Sequence, residues 1–192
     1  MIRFSGIIFL MAGILSVASA RASVEAPDWA ERMAGKWRGA GERVDLASGQ
    51  RTKIEVEVDS QWRSELVLPA LVSKNRFSEI TLAQDGSVVR SRQYDRIYWI
   101  RELQRNLSQV ELALGAGEDS SSAEGSRGSY DSQLFLLLVQ QDLGTGSRIS
   151  SRSDLSTPGL TQYEELFWWN GRKRARSEIR YERVASAEMG NR

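Results

Sequence analysis

Apolar and polar residues alternate with a period of two over much of this chain. The cleanest case is 51–59, where Ile54, Val56 and Val58 fall on one face and Lys53, Glu55, Glu57 and Asp59 on the other. Successive side chains of a strand point to opposite faces, so this pattern predicts a half-buried antiparallel strand. Further strands are predicted over 36–46, 64–68, 76–83, 88–102, 107–114 and 148–155, and over both arms of a hairpin in 162–184. The apolar run 134–139 reads as a buried strand or a short helix. Turn signals separate these segments: Ser48-Gly49, Asp85-Gly86, Gly144-Thr145-Gly146, Thr157-Pro158-Gly159 and Asn170-Gly171. About eight to ten strands at such spacing predict an all-β fold, a single antiparallel barrel. One helix is predicted before the first strand, in Pro27-Asp28-Trp29-Ala30-Glu31-Arg32-Met33-Ala34, with Trp29 and Met33 four apart on one face.

The hairpin 162–184 is the most informative stretch. Asn170-Gly171 is the preferred pair for a two-residue type I′ turn. An uninterrupted ladder from that turn sets Trp169 opposite Arg172, Phe167 opposite Arg174, Glu165 opposite Arg176 and Tyr163 opposite Glu178, all on one face. The other face carries Leu166, Trp168, Ala175, Ile179 and Tyr181. Either face can point inward. With the aromatic–arginine face inside, Arg174, Arg176, Tyr163, Trp169 and Phe167 form a candidate ligand site, joined by Tyr98 from the stretch 94–101. With the apolar face inside, the same charges form a solvated outer ladder.

The first twenty residues stand outside this scheme. Arg3, an apolar run over 4–17 and Ala18-Ser19-Ala20 have the layout of a signal peptide, cleaved after residue 20 or 22. The domain is expected over 27–184, with a disordered loop at 115–129, a stretch of glycine, serine, alanine and acids, and a frayed tail at 185–192. An exported protein, periplasmic or secreted, is expected, not transmembrane once the signal is removed.

Composition narrows the chemistry. The formal charge is +1 over the chain, which disfavours bulk binding to nucleic acid or to an acidic membrane. Neither cysteine nor histidine occurs, which removes disulfides, thiolate sites, the Ser-His-Asp triad and the commonest metal ligands. No cofactor or metal is expected, and catalysis would have to rest on tyrosine, carboxylates, lysine or arginine. The 26 basic residues are nearly all arginine, the side chain suited to gripping carboxylates and stacking on aromatic rings.

Gly35-Lys36-Trp37 follows directly on the predicted helix and resembles the Gly-x-Trp opening of the calycins, the lipocalin superfamily. That resemblance implies a barrel in which Gly35 and Trp37 are structural and a late arginine, Arg180 or Arg183, packs over the tryptophan. The chain also resembles, more narrowly, the S-type phycobilin lyases. The residues concerned are Gly35-Lys36-Trp37-Arg38 at the start and Glu165, Phe167, Trp168, Asn170, Arg172 and Arg174 near the end. In those proteins this late face lines the pocket and meets tetrapyrrole carboxylates. Here Gly39-Ala40-Gly41-Glu42-Arg43 replaces the segment that follows the family's opening tryptophan, and the chain reads as exported. Kinship of fold is implied, rather than lyase activity. The expected function is binding of a small amphipathic or acidic ligand, hydrophobic or carboxylate-bearing. An envelope interaction module with a filled barrel and a lyase- or isomerase-type enzyme are the alternatives.

Overall fold

The computed structural model describes residues 24–66, 68–106, 109–116 and 126–185. The expected signal peptide, most of the expected loop and nearly all of the tail lie outside the described residues. One short helix, α1 (Asp28–Met33), precedes ten strands: β1 (Gly35–Asp45), β2 (Arg51–Arg63), β3 (Ala70–Leu82), β4 (Val88–Asn106), β5 (Gln109–Ala116), β6 (Ser126–Asp131), β7 (Leu136–Gly144), β8 (Ser147–Asp154), β9 (Leu160–Trp169) and β10 (Arg172–Arg183). Each strand pairs antiparallel with its neighbours in sequence, and β10 returns to β1, so the sheet closes into a barrel. Closure leaves no free edge to recruit another chain.

The alternation in β2 is the fold's clearest imprint on the sequence. Thr52, Ile54, Val56 and Ser60 are buried, and Arg51, Lys53, Glu55 and Glu57 are exposed. The seam between β1 and β10 depends on two glycines. A Cβ on Gly41 would lie 1.9 Å from the Glu178 carbonyl oxygen, and one on Gly39 would lie 2.6 Å from a Val56 methyl and 2.7 Å from the Tyr181 ring. Only residues without a side chain let these strands approach over the bulky inward groups of β2 and β10.

The two ends of the barrel differ. At one end α1 lays Trp29 and Ala30 across a core of Leu71, Ile100, Val110, Leu112, Tyr130 and Leu137, closing it. Trp29 meets Trp62 edge to face at 6.0 Å, and the Tyr130 hydroxyl donates to Asp28 Oδ2 at 2.9 Å. At the other end the hairpin turns at 46–50, 83–87, 144–146 and 170–171 surround an open mouth.

Four sequence expectations are corrected in detail. The stretch 64–68 was expected to be strand. Its described residues, 64–66 and 68, belong to the β2–β3 turn region, and β3 starts earlier than expected, at Ala70, because its register with β2 runs unbroken from Arg63–Ala70 to Arg51–Leu82. Both ends of the expected loop 115–129 are strand: 115–116 belong to β5 and 126–129 to β6, where Gly128 pairs with Leu112 and Val139. The run 134–139 is neither a single buried strand nor a helix. Leu134 and Phe135 sit in a turn held by Asp131 Oδ1, which accepts from the Gln133 and Leu134 amides at 2.9 and 3.0 Å, and the strand begins at Leu136. The fourth correction, to the register of the last hairpin, reshapes the candidate site.

Candidate ligand site in the open half of the barrel

The β9–β10 turn is the one expected: Asn170 and Gly171 have φ of 48° and 72°, as a type I′ turn requires. Trp169 pairs with Arg172 and Trp168 with Lys173, but a bulge between Lys173 and Ala175 then shifts the ladder by one. Phe167 lies opposite Ala175, Glu165 opposite Ser177 and Tyr163 opposite Ile179. A one-residue slip turns every later side chain to the other face. The aromatic face of β9 therefore joins the apolar face of β10 inside the barrel, and neither of the two faces read from sequence exists as a unit.

This places the sequence candidates individually. Tyr163, Phe167 and Trp169 face inward with Ser177 and Ile179, both buried. Tyr98 also faces inward, paired with buried Ser73. Arg174 occupies the bulge, its guanidinium carbon 5.2 Å from the Trp169 ring centre and its Nε buried without a hydrogen-bond partner. Arg176, expected beside Arg174, is on the outer wall, where it pairs with Glu164 at 3.0 Å and with Glu178. Arg180 is outside as well, 3.3 Å from Glu182. Of the two arginines expected over Trp37, Arg183 takes the position, 4.7 Å above the ring.

The main inward cations lie outside the candidate residues of the sequence reading, although Tyr98 and the stretch 94–101 of β4 are among its candidates. β4 turns Arg90, Arg92, Tyr94, Arg96 and Tyr98 to the interior, opposite Thr81, Glu79, Phe77, Asn75 and Ser73 of β3. β1 adds Arg43, paired with buried Thr52 and Ser177. Glu79, 4% exposed, collects this charge. Its Oε2 accepts from Arg43 Nη2 at 2.9 Å and from Arg92 Nε at 2.7 Å, and its Oε1 accepts from the Tyr94 hydroxyl at 2.8 Å. Burial alone would raise the carboxyl pKa. The hydrogen bonds from Tyr94 and Arg92 and the charges of Arg43 and Arg92 outweigh it and hold the pKa below the ordinary value. A cavity of about 230 Å³ opens here, lined by Arg43, Arg90, Arg92, Asp45, Thr52 and Thr81 among others.

Below this cluster the wall is aromatic. Phe77 and Tyr94 stack at 5.0 Å, with Arg92 and Arg96 placed 4.9 and 5.0 Å from the Tyr94 ring. Arg96 Nη1 donates to the Tyr98 hydroxyl at 3.2 Å, and no carboxylate among the described residues lies within ion-pair distance of it. Arg96 points inward and keeps solvent exposure, while Phe77, Tyr163 and Tyr181 pack against buried Ile54, Val56 and Ile179. On the far wall the Tyr163 hydroxyl donates to Glu165 Oε2 at 2.6 Å, and the Tyr163 and Tyr181 rings meet edge to face at 6.4 Å. Burial first, and the Glu165 charge second, push the Tyr163 phenol well above its ordinary pKa.

A signal for the missed residues is present in the sequence. Arg90, Arg92, Arg96 recur at even spacing with Tyr94 and Tyr98, and Glu79 shares the phase of Phe77. Alternation alone does not say which phase is inward. Among the described residues no three Asp or Glu side chains gather as a metal-binding group, and no helix is long and apolar enough to cross a membrane.

No family model matches the chain, and no curated protein matches it in sequence. Among solved structures it is similar to the S-type phycobiliprotein lyase CPES from Guillardia theta, with a TM-score of 0.57 over 86% of this chain and 95% of that one. The fold is a calycin-type barrel. Sequence identity is 13%, so the likeness is one of architecture. Inside this barrel stand an arginine row on β4, the buried carboxylate of Glu79 and an aromatic far wall.

Proposed function

We propose that this barrel binds a small amphipathic ligand bearing a carboxylate or comparable anionic group. The observation that carries the reading is Arg96: inward, exposed, beside two tyrosines and, among the described residues, with no carboxylate at ion-pair distance. The nearest acting charge is Glu79, whose oxygens are already taken by Arg43, Arg92 and Tyr94, and a cation so placed favours an anion that arrives with the ligand. Phe77, Tyr94, Tyr98 and Phe167 offer flat apolar faces to the rest of the molecule. Arg43, Arg90 and Arg92 at the mouth would guide the anionic end or hold a second such group. The architecture shared with a phycobiliprotein lyase is compatible with a conjugated ring system as the apolar part, since flat rings stack on aromatic walls. Residues 1–20 act, in this reading, as a signal peptide, so binding takes place outside the cytoplasm.

The test is native mass spectrometry of the protein isolated from the cell, followed by binding of the amphipathic anion anilinonaphthalene sulfonate. A reproducible extra mass that leaves on denaturation supports the reading. Arg96→Ala should weaken binding of the anion by roughly ten-fold or more, the worth of a charge-assisted hydrogen bond. Arg176→Ala should leave it unchanged. Equal affinities for the two variants would sink the assignment.

A further inference from the structure

The net charge near zero conceals a local asymmetry at the open end. Five of the exposed large apolar side chains stand on the hairpins that ring the mouth: Leu46, Val88, Val89, Leu143 and Trp169. Val88 and Val89 are 62% and 58% exposed. The hairpins at 144–146 and 170–171 touch, the Asn170 amide donating to the Gly146 carbonyl at 2.9 Å, so Leu143 and Trp169 belong to one stretch of rim. Two adjacent tryptophans straddle it. Trp169 lies on the inner side under Arg174, and Trp168 lies on the outer side between Arg148 at 5.1 Å and Lys173 at 5.3 Å. With Arg172 this makes four cations; among the described residues none is within ion-pair distance of a carboxylate, although the Arg174 charge is felt by Asp45 and Arg148 stands opposite Asp142 on the ladder. The nearby carboxylate of Asp142 accepts from the Gly144 amide at 2.8 Å. By sequence Glu118, Asp119 and Glu124 fall between β5 and β6, outside the described residues.

We propose that this rim docks on the surface of an anionic lipid bilayer, with the β7–β8 and β9–β10 hairpins against the headgroups. Tryptophan favours the bilayer interface, where its ring sits among acyl chains and its N–H among polar groups. Valine and leucine at the tips add apolar area, and arginine and lysine beside them are drawn to anionic headgroups. The closed end also exposes leucines, Leu68, Leu103 and Leu134, but among the described residues it has no comparable cluster of exposed tryptophan and cations. Docked in this way, the mouth opens directly onto the membrane. The inference does not depend on what the barrel holds.

The chain has no cysteine, which makes position-specific labelling direct. Single variants Val89→Cys and Leu143→Cys at the rim and Leu134→Cys at the closed end would carry an environment-sensitive fluorophore. Each is mixed with vesicles of phosphatidylglycerol and phosphatidylcholine. The apolar run at 4–17 can attach a chain to vesicles by itself, so the readout is which labels enter lipid, not whether the protein binds. The rim labels should shift to the blue, more strongly with phosphatidylglycerol than without and less in raised salt, while the Leu134 label should not. Adding Arg172→Glu and Lys173→Glu should weaken the rim signal's lipid dependence by about thirty-fold or more. Unchanged rim labels, an equal shift at Leu134, or indifference to the charge reversals would each overturn the proposal.

Discussion

The Arg183 guanidinium lies 4.7 Å above the Trp37 ring while its Nη2 reaches the carbonyl oxygens of Glu31, Arg32 and Ala34 at 3.3, 3.0 and 2.9 Å. The Trp37 indole N–H adds a bond to the Met33 carbonyl at 3.1 Å. One cation thus joins the last strand to the first and satisfies orphan carbonyls at the end of α1, the helix that closes the barrel. Arg183→Ala should cost about 2 kcal/mol, combining a partly exposed cation–π contact with charge-assisted hydrogen bonds. Arg183→Lys should recover only part of this, since an ammonium cannot match the planar fork. Arg180→Ala should stay within about 0.5 kcal/mol, as befits an outer-wall ion pair. Urea denaturation of the three variants checks the order.

The β1–β10 seam makes a second, sharper demand. With Gly41 replaced by Ala, the new methyl group would meet the Glu178 carbonyl oxygen at 1.9 Å, a contact with backbone that no rotamer change relieves. The strands would have to part where the barrel closes, so Gly41→Ala should destabilise by at least about 2 kcal/mol. Gly49→Ala is the comparison: nothing stands within 4 Å of that position, but its φ of 72° disfavours a side chain, so a cost of about 1 kcal/mol is expected. A larger loss at Gly49 than at Gly41 would refute this account of closure.

The contrast between these glycines and the last hairpin explains what could be read from the sequence. Strict alternation in β2, the Gly35-Lys36-Trp37 opening and the Asn170-Gly171 turn each reflect a local rule, and the all-β class and the barrel with one short helix follow from them. The bulge at Lys173–Ala175 follows no such rule. Nothing in Arg172-Lys173-Arg174-Ala175 marks an extra residue, because the bulge is fixed by matching β10 to both β9 and β1 around a closed sheet. Extending the ladder without it put Arg176 on the aromatic face. In the same way, Glu79 and the β4 arginines look like ordinary surface charges until closure sets their phase inward.

Glu79 provides a pH test of that inward cluster. Its folded-state pKa lies below the ordinary 4.5, so its contribution to stability is fully present above that value and is lost as the pH falls through the lower folded-state value. Glu79→Gln removes the charge but keeps the shape, leaving Arg43 and Arg92 with a weaker acceptor. The variant should be about 2 kcal/mol less stable near neutrality. The gap should narrow below pH 4.5 as the wild-type carboxyl takes up its proton. A gap that persists unchanged into acid would mean that Glu79 acts by packing rather than by charge.

The tyrosines supply the alkaline counterpart. Burial, with hydrogen bonds or charges from nearby carboxylates, raises the phenol pKa of Tyr94, Tyr130, Tyr163 and Tyr181 above the usual 10.0. These are four of the chain's five tyrosines. A phenol harder to ionise in the folded state stabilises the fold fully below pH 10, and that contribution disappears as the pH rises through the folded-state value. Tyrosinate absorbance of the native protein should therefore lag behind that of the unfolded chain as the pH rises. Tyr163→Phe isolates the buried pair with Glu165. It removes a phenol that ionises only when the barrel opens, so it should leave the early part of the native titration unchanged. If instead the native curve lost amplitude near pH 10, Tyr163 would be open to solvent, and its bond to Glu165 would not belong to the packed interior against Ile54, Val56 and Ile179.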